Sequence, residues 1–156
     1  MRNFTTQLLL LATLLSLHYT SDAKTIFVKE NAMGDGSSWQ SPLGDLSEAL
    51  YIADFGDQIW IAKGTYYPTS DNDRTIYFQI VDGVELYGGF VGTETKVQER
   101  NWIKNVTILS GDIGRKNTTE DNSYTVIYTL NVSSKPLLMA LLSQVVQPMT
   151  LQNDQT

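Results

Sequence analysis

The chain has 156 residues and a formal charge of −6, with no cysteine and a single histidine. Its 11 basic residues against 17 acidic ones form no basic stripe, which excludes nucleic acid as a partner. Without cysteine there is no disulfide, thiol nucleophile or Cys/His zinc site, so packing alone must hold the fold.

The first 23 residues read as a targeting segment. Arg2 supplies a positive start, and LLLLATLLSL at 8–17 is an apolar run too short to span a bilayer. Ser21-Asp22-Ala23 then offers small residues where a signal peptidase cuts, placing cleavage after Ala23. The only histidine, His18, leaves with that segment, and a histidine-based triad leaves with it. No integral membrane segment is expected in the remainder.

Residues 24–55 read as an N-terminal strand and a cap helix. KTIFVK (24–29) alternates like a strand, and the Gly- and Ser-rich loop at 31–42 has Trp39 as its one large anchor. Asp45-Leu46-Ser47-Glu48 has the form of a capping box, and Leu46, Ala49, Leu50 and Ala53 share one helical face. Phe55-Gly56-Asp57 ends that helix. A helix of this kind suits the open end of a stack, which must be covered.

Residues 56–134 then repeat a short strand closed by glycine. GDQIWIAKGTYYPT (56–69), DGVELYGGFVGTET (82–95), NVTILSGDIG (105–114) and SYTVIYTLNV (123–132) align on Ile59, Val84, Val106 and Val126, about 25, 22 and 20 residues apart. A unit of that size cannot bury its own apolar face and must stack on its neighbours. Gly64, Gly83, Gly88, Gly89 and Gly111 read as corner makers that need an unusual φ or a close approach. The longer excursion at 92–102 is charged, and 114–122 is another polar excursion.

In this order the segments GDGSSW (34–39), DLSEAL (45–50), GDQIWIAKGTYYPT, DGVELYGGFVGTET, ERNW (99–102) and TILSGDIG (107–114) resemble a known group. The group is the right-handed parallel β-helix proteins of the pectate-lyase-like superfamily, exported by Gram-negative bacteria, and the likeness is to their N-terminal cap and first coils. It implies an all-β solenoid with a short amphipathic cap helix, at the cell surface, in the outer membrane or outside the cell. Polysaccharide lyases and hydrolases on this fold use acidic, Lys and Arg residues of middle coils, often with calcium. Those coils are not in this sequence, so the resemblance places no catalytic residue here. It implies a non-catalytic adhesin-like or binding scaffold with a polysaccharide or other cell-surface ligand. The alternative is the N-terminal piece of a polysaccharide lyase or hydrolase acting on pectin-like polymers.

The candidate sites are few. Asp71 and Asp73, with Asn72 between them, offer oxygen ligands to calcium, but they equally make a plain polar turn that needs no cofactor. Trp39, Trp60, Tyr66, Tyr67, Tyr77 and Tyr87 supply flat rings; Trp39 and Trp60 read as core, leaving Tyr66 and Tyr67 as the candidates for stacking on sugar. Arg74, Arg100 and Arg115 lie in turns and read as solvated. Asn105, Asn117 and Asn131 stand in N-x-S/T sequons, which suit polar turns.

After Ser134 the pattern breaks. KPLLMALLSQVVQPMTLQNDQT (135–156) lacks the alternation and the glycine corners. It reads either as a terminal apolar helix or as a frame-shifted tail. Codons for Leu138–Thr150 are compatible with DGFTITGGAAND in the neighbouring frame, the strand and corner expected next. The second reading makes the chain a truncated solenoid of about four coils.

Overall fold

The computed structural model describes residues 22–80, 82–116, 118–129 and 138–139. Residues 1–21, Asn117, Asn131 and nearly all of the 135–156 tail lie outside them. The protein is all-β with one short helix. Its elements are β1 (Thr25–Val28), α1 (Leu46–Ile52), β2 (Gln58–Ala62), β3 (Gly64–Tyr66), β4 (Phe78–Ile80), β5 (Glu85–Phe90), a 3-10 turn at Val97–Glu99, β6 (Thr107–Leu109), β7 (Ile127–Thr129) and β8 (Leu138–Met139).

Every strand pairing among the described residues is parallel. The strands form three sheets, in the orders β1-β2-β5-β8, β3-β6 and β4-β7. From β2 onward each strand therefore pairs with the one three places later. This corrects the expected repeat. Ile59 pairs with Leu86, but Thr107 pairs with Gly64 and Ile127 with Phe78. The four glycine-closed segments are not four rungs of one sheet. The strands of segments 105–114 and 123–132, β6 and β7, belong to the second and third sheets. The four segments look alike because each is a short strand ending in a turn, whichever sheet receives it.

Strand alternation decides which side chains meet in the centre. Ile26, Val28, Ile59, Ile61 and Leu86 project to one face of the first sheet and join Tyr66, Phe78, Ile80, Val84 and Leu109 in one buried cluster. The opposite face is also dry. Trp60, Tyr87 and Phe90 form a second cluster with Phe27, Trp39 and Val97 packed against it. Trp60 stacks on Phe90 with centroids 4.8 Å apart and planes at 8°, and Trp39 meets Phe27 edge-on at 4.9 Å. A first sheet apolar on both faces needs cover on both, and the 31–42 loop brings Trp39 to supply part of it.

The cap works in two parts. Asp45 caps α1 by accepting from the Ser47 amide at 2.7 Å, and Leu46, Ala49 and Leu50 enter the main core. A helix side has no free backbone groups to satisfy a strand edge. That task falls to the preceding loop: the Phe27 amide donates to Gly36 O, the Leu43 amide to Phe27 O, and the Lys29 amide to Leu43 O, each at 2.9 Å. α1 plugs the core, and Gly36 and Leu43 bond the edge of β1.

The charged excursion at 92–102 is held by its own acids. Glu94 accepts from the Val91, Gly92 and Thr93 amides at 2.7, 2.9 and 3.0 Å. Its carbonyl takes the Trp39 indole N–H at 3.0 Å, tying this loop to the 31–42 loop. Partial burial pushes the Glu94 carboxyl up, but the three amides outweigh it and hold it below the ordinary range. A depressed folded pKa stabilises above the unfolded value and stops doing so as pH falls through the folded one. Glu94→Gln is therefore expected to cost about 1.5–3 kcal/mol at pH 7, the range for bonds to a charged acceptor. The difference between variant and parent should shrink toward pH 3. Urea denaturation at the two pH values checks both the size and the trend.

Candidate functional site

Parallel pairing places the loop after β3 beside the loop after β6, although about 45 residues separate them in sequence. The Ser110 amide donates to Tyr66 O and the Tyr124 amide to Arg74 O, at 2.9 and 2.8 Å. Between the loops lies an open cleft of about 640 Å³. Tyr67, Thr69 and Asn72 line one side and Arg115, Lys116 and Asp121 the other.

Lys116 lies across the cleft with its Nζ 3.4 Å from the Tyr67 ring centre, and it donates to Asp112 O at 2.8 Å. Asp121 builds the far wall. It accepts the Arg115 amide at 2.7 Å and the Thr118 hydroxyl, and the hydroxyl foremost holds its carboxyl below the ordinary range. The Arg115 guanidinium stands 3.8 Å from both Glu120 and Asp121, with its side chain 76% exposed. Gly114 sits at φ +67°, and a Cβ there would fall 2.7 Å from Asp121 Oδ2 and 2.9 Å from Asn72 Oδ1. Glycine thus lets the two polar side chains close on the loop. The cleft offers a ring, an amide, hydroxyls and two cations.

The same loops carry aromatic groups outside the cleft. The Arg74 guanidinium lies 4.3 Å from the Tyr124 ring centre and donates through Nε to Asn122 O at 2.7 Å. Tyr77, just before β4, and Tyr128 of β7 meet with ring centres 5.0 Å apart.

The two candidate tyrosines separate. Tyr67 is half-buried at the cleft. Tyr66 is only 4% exposed, inside the main core. Its hydroxyl donates to Ala62 O at 2.9 Å and accepts from the Glu30 amide at 3.2 Å, and burial pushes the phenol well above its ordinary range. Tyr66 has no face for a sugar, because β3 alternation turns it inward while Tyr67, one residue on, turns out. Trp39 and Trp60 belong to the second apolar cluster, and Tyr87 is buried there with its hydroxyl on Glu85 at 2.8 Å.

The Asp71–Asp73 segment is a turn. Asp73 Oδ1 accepts both the amide and the hydroxyl of Thr75, at 2.9 and 2.6 Å, and the Thr69 hydroxyl accepts the Asp71 amide at 3.0 Å. Among the described residues no group of three or more His, Cys, Asp or Glu is placed to hold a metal. Of the turn arginines, Arg100 departs from a solvated role. Its guanidinium sits 5.1 Å from both the Tyr87 and the Trp102 ring centres, with Nε and one terminal nitrogen buried.

The glycines differ among themselves. Gly83 and Gly89 have φ of +73° and +99°. Gly64 has a φ of +154° and a Cβ there would fall 2.8 Å from Glu30 Oε2, and Gly111 has Val126 Cγ2 3.0 Å from where its Cβ would stand. Gly88 needs no corner: it lies within β5, paired with Ile61. The sequon at Asn105 is structural, since its amide nitrogen donates to Gly89 O at 3.2 Å and Thr107 is buried. Among the described residues no helix is long and apolar enough to cross a membrane. Compared with known proteins, the chain matches no family model, no curated protein and no solved structure.

Proposed function

We propose that this is the N-terminal part of an exported right-handed parallel β-helix that acts as a non-catalytic scaffold binding polysaccharide. Three strands per circuit, each pairing in parallel with its counterpart one circuit on, support the solenoid reading. The observation that carries the binding reading is the open cleft between the two loops, with the Tyr67 ring, Asn72 and Thr69 facing Arg115 and Lys116. Sugars are bound by flat rings that match their C–H faces and by polar groups that match their hydroxyls. Arg115 and Lys116 against the single carboxylate of Asp121 leave the lining net positive, which favours a polymer that carries carboxylates. The non-catalytic reading is supported by what the carboxylates do: Asp57, Asp73, Glu94, Glu99 and Asp121 each accept hydrogen bonds from their own chain.

Native electrophoresis through gels containing polygalacturonate tests the proposal. Retardation is expected, and Tyr67→Ala should reduce it about tenfold, the loss of a ring worth about 1–1.5 kcal/mol. Lys116→Ala should weaken it as well and flatten its salt dependence. Unretarded migration would remove the binding reading, and shortening of the polymer during the run would overturn the non-catalytic one.

A further inference from the structure

Lys24 and Asp57 form an arrangement that the cleft does not use. Asp57 follows the turn after α1, and its side chain is 2% exposed. Its Oδ1 accepts the main-chain N–H of Lys24 at 2.9 Å, and its Oδ2 accepts that of Asp54 at 2.9 Å. The Lys24 ammonium stands 3.4 Å from Oδ2, but that side chain is half in water and also donates to Ile52 O at 3.1 Å. A carboxylate this buried is costly unless a well-placed positive charge meets it. Its two contacts at 2.9 Å are both to neutral amides, and the one on Oδ1 is the Lys24 nitrogen.

That nitrogen is the first atom after Ser21-Asp22-Ala23, the small-residue stretch read as a cleavage site. Asp22 and Ala23 are exposed. Lys24 is also where the cap strand engages the sheet, because the Gln58 amide donates to Lys24 O at 2.9 Å and the next residue, Thr25, pairs with Gln58. We propose that cleavage of the Ala23–Lys24 bond converts this amide into an α-ammonium held on Asp57 Oδ1, so that processing itself locks β1 onto β2. In that hydrolysis a peptidase directs water onto the Ala23 carbonyl. The C–N bond breaks, Ala23 leaves as a carboxylate, and the Lys24 nitrogen takes a proton to become the ammonium. The new charge meets a buried carboxylate at a distance already suited to a charge-assisted bond. The lock rests on the export reading and is independent of the cleft.

The charged groups around the new terminus are Asp57, the Lys24 side-chain ammonium, and Asp54, which contributes its amide. The pairing with Asp57 raises the α-amine above its ordinary value of about 7.7–8.0. A raised folded pKa contributes stability that is complete below the unfolded value and is lost as pH rises through the folded one.

The test secretes the full chain, with and without one glycine inserted between Ala23 and Lys24, and identifies each product's N-terminus by mass spectrometry. The insertion keeps Asp57 and both cores but moves the terminus off Oδ1. The parent product is expected to begin at Lys24 and to melt about 5 °C or more above the inserted form at pH 7, with the gap closing near pH 10. Its α-amine should also acylate at least about tenfold more slowly at pH 7. Asp57→Asn, if it folds, should erase both differences. A product that begins elsewhere or is not processed removes the export premise. A Lys24 terminus with equal midpoints and equal labelling overturns the lock while leaving export intact.

Discussion

Gly89→Ala is expected to destabilise the protein by about 2–5 kcal/mol, enough to remove much of the stability of a domain of ordinary marginal stability. The position carries two separate demands. Its φ of +99° costs an L side chain about 1–2 kcal/mol. A Cβ there would lie 2.8 Å from Trp102 Cα and 2.9 Å from Trp102 N, backbone atoms that no rotamer change can move, and overpacking of this kind adds about 1–3 kcal/mol. The reason for both is a bulge. β2 and β5 pair Ile61 with Gly88 and then Ala62 with Phe90, so Gly89 is the extra residue on β5. Freed from the ladder, its groups serve the 101–107 segment. Its carbonyl accepts the Asn101 amide at 2.8 Å and the Asn105 side chain at 3.2 Å, and its amide donates to the Thr107 hydroxyl at 3.1 Å. Gly88→Ala, in the same strand without positive φ, is the control and should cost clearly less. Chemical denaturation of the two variants measures the difference.

The second large effect is expected at Phe78. Its side chain is fully buried in the main core, and β4, which carries it, packs against α1. Phe78→Ala should cost about 3–5 kcal/mol, through lost apolar burial and the cavity left behind. Phe78→Leu keeps most of the volume and should cost less than about 1.5 kcal/mol. Because Leu46, Ala49 and Leu50 share the cluster, the alanine variant should also lose helical signal early in a melt, which circular dichroism against urea or temperature would show. A small effect would mean that the third sheet contributes little to holding the cap.

Much of the local structure was legible. The 45–53 helix, its Asp45 cap and its buried face follow from spacing that a 3.6-residue period fixes by itself. The opposed faces of Ile59, Ile61 and Trp60 follow in the same way from a period of two. Trp39 as the anchor of a Gly-rich loop was visible because so large an apolar ring has no other use in such a loop. The failures are equally specific. Tyr66 and Tyr67 are adjacent and chemically the same, and only the register of β3 against β6 decides that one is core and the other lines a cleft. Gly88 and Gly89 are adjacent too, and only the bulge against β2 gives one of them the corner.

The cleft was out of reach for the same reason. Arg115, Lys116 and Asp121 meet Tyr67 and Asn72 only because two parallel pairings, Gly64 with Thr107 and Phe78 with Ile127, bring distant loops side by side. The sequence by itself determined the elements: short strands closed by glycine, one capped helix, and a chain with no cysteine to bridge it. Local sterics and hydrogen bonding act over a few residues, so those features need no partner. The tertiary structure decided which strand pairs with which, and therefore which side chains share a cavity. Parallel pairing joins residues 27 to 52 positions apart, through backbone groups that are alike at every residue and leave no local trace of the partner they choose.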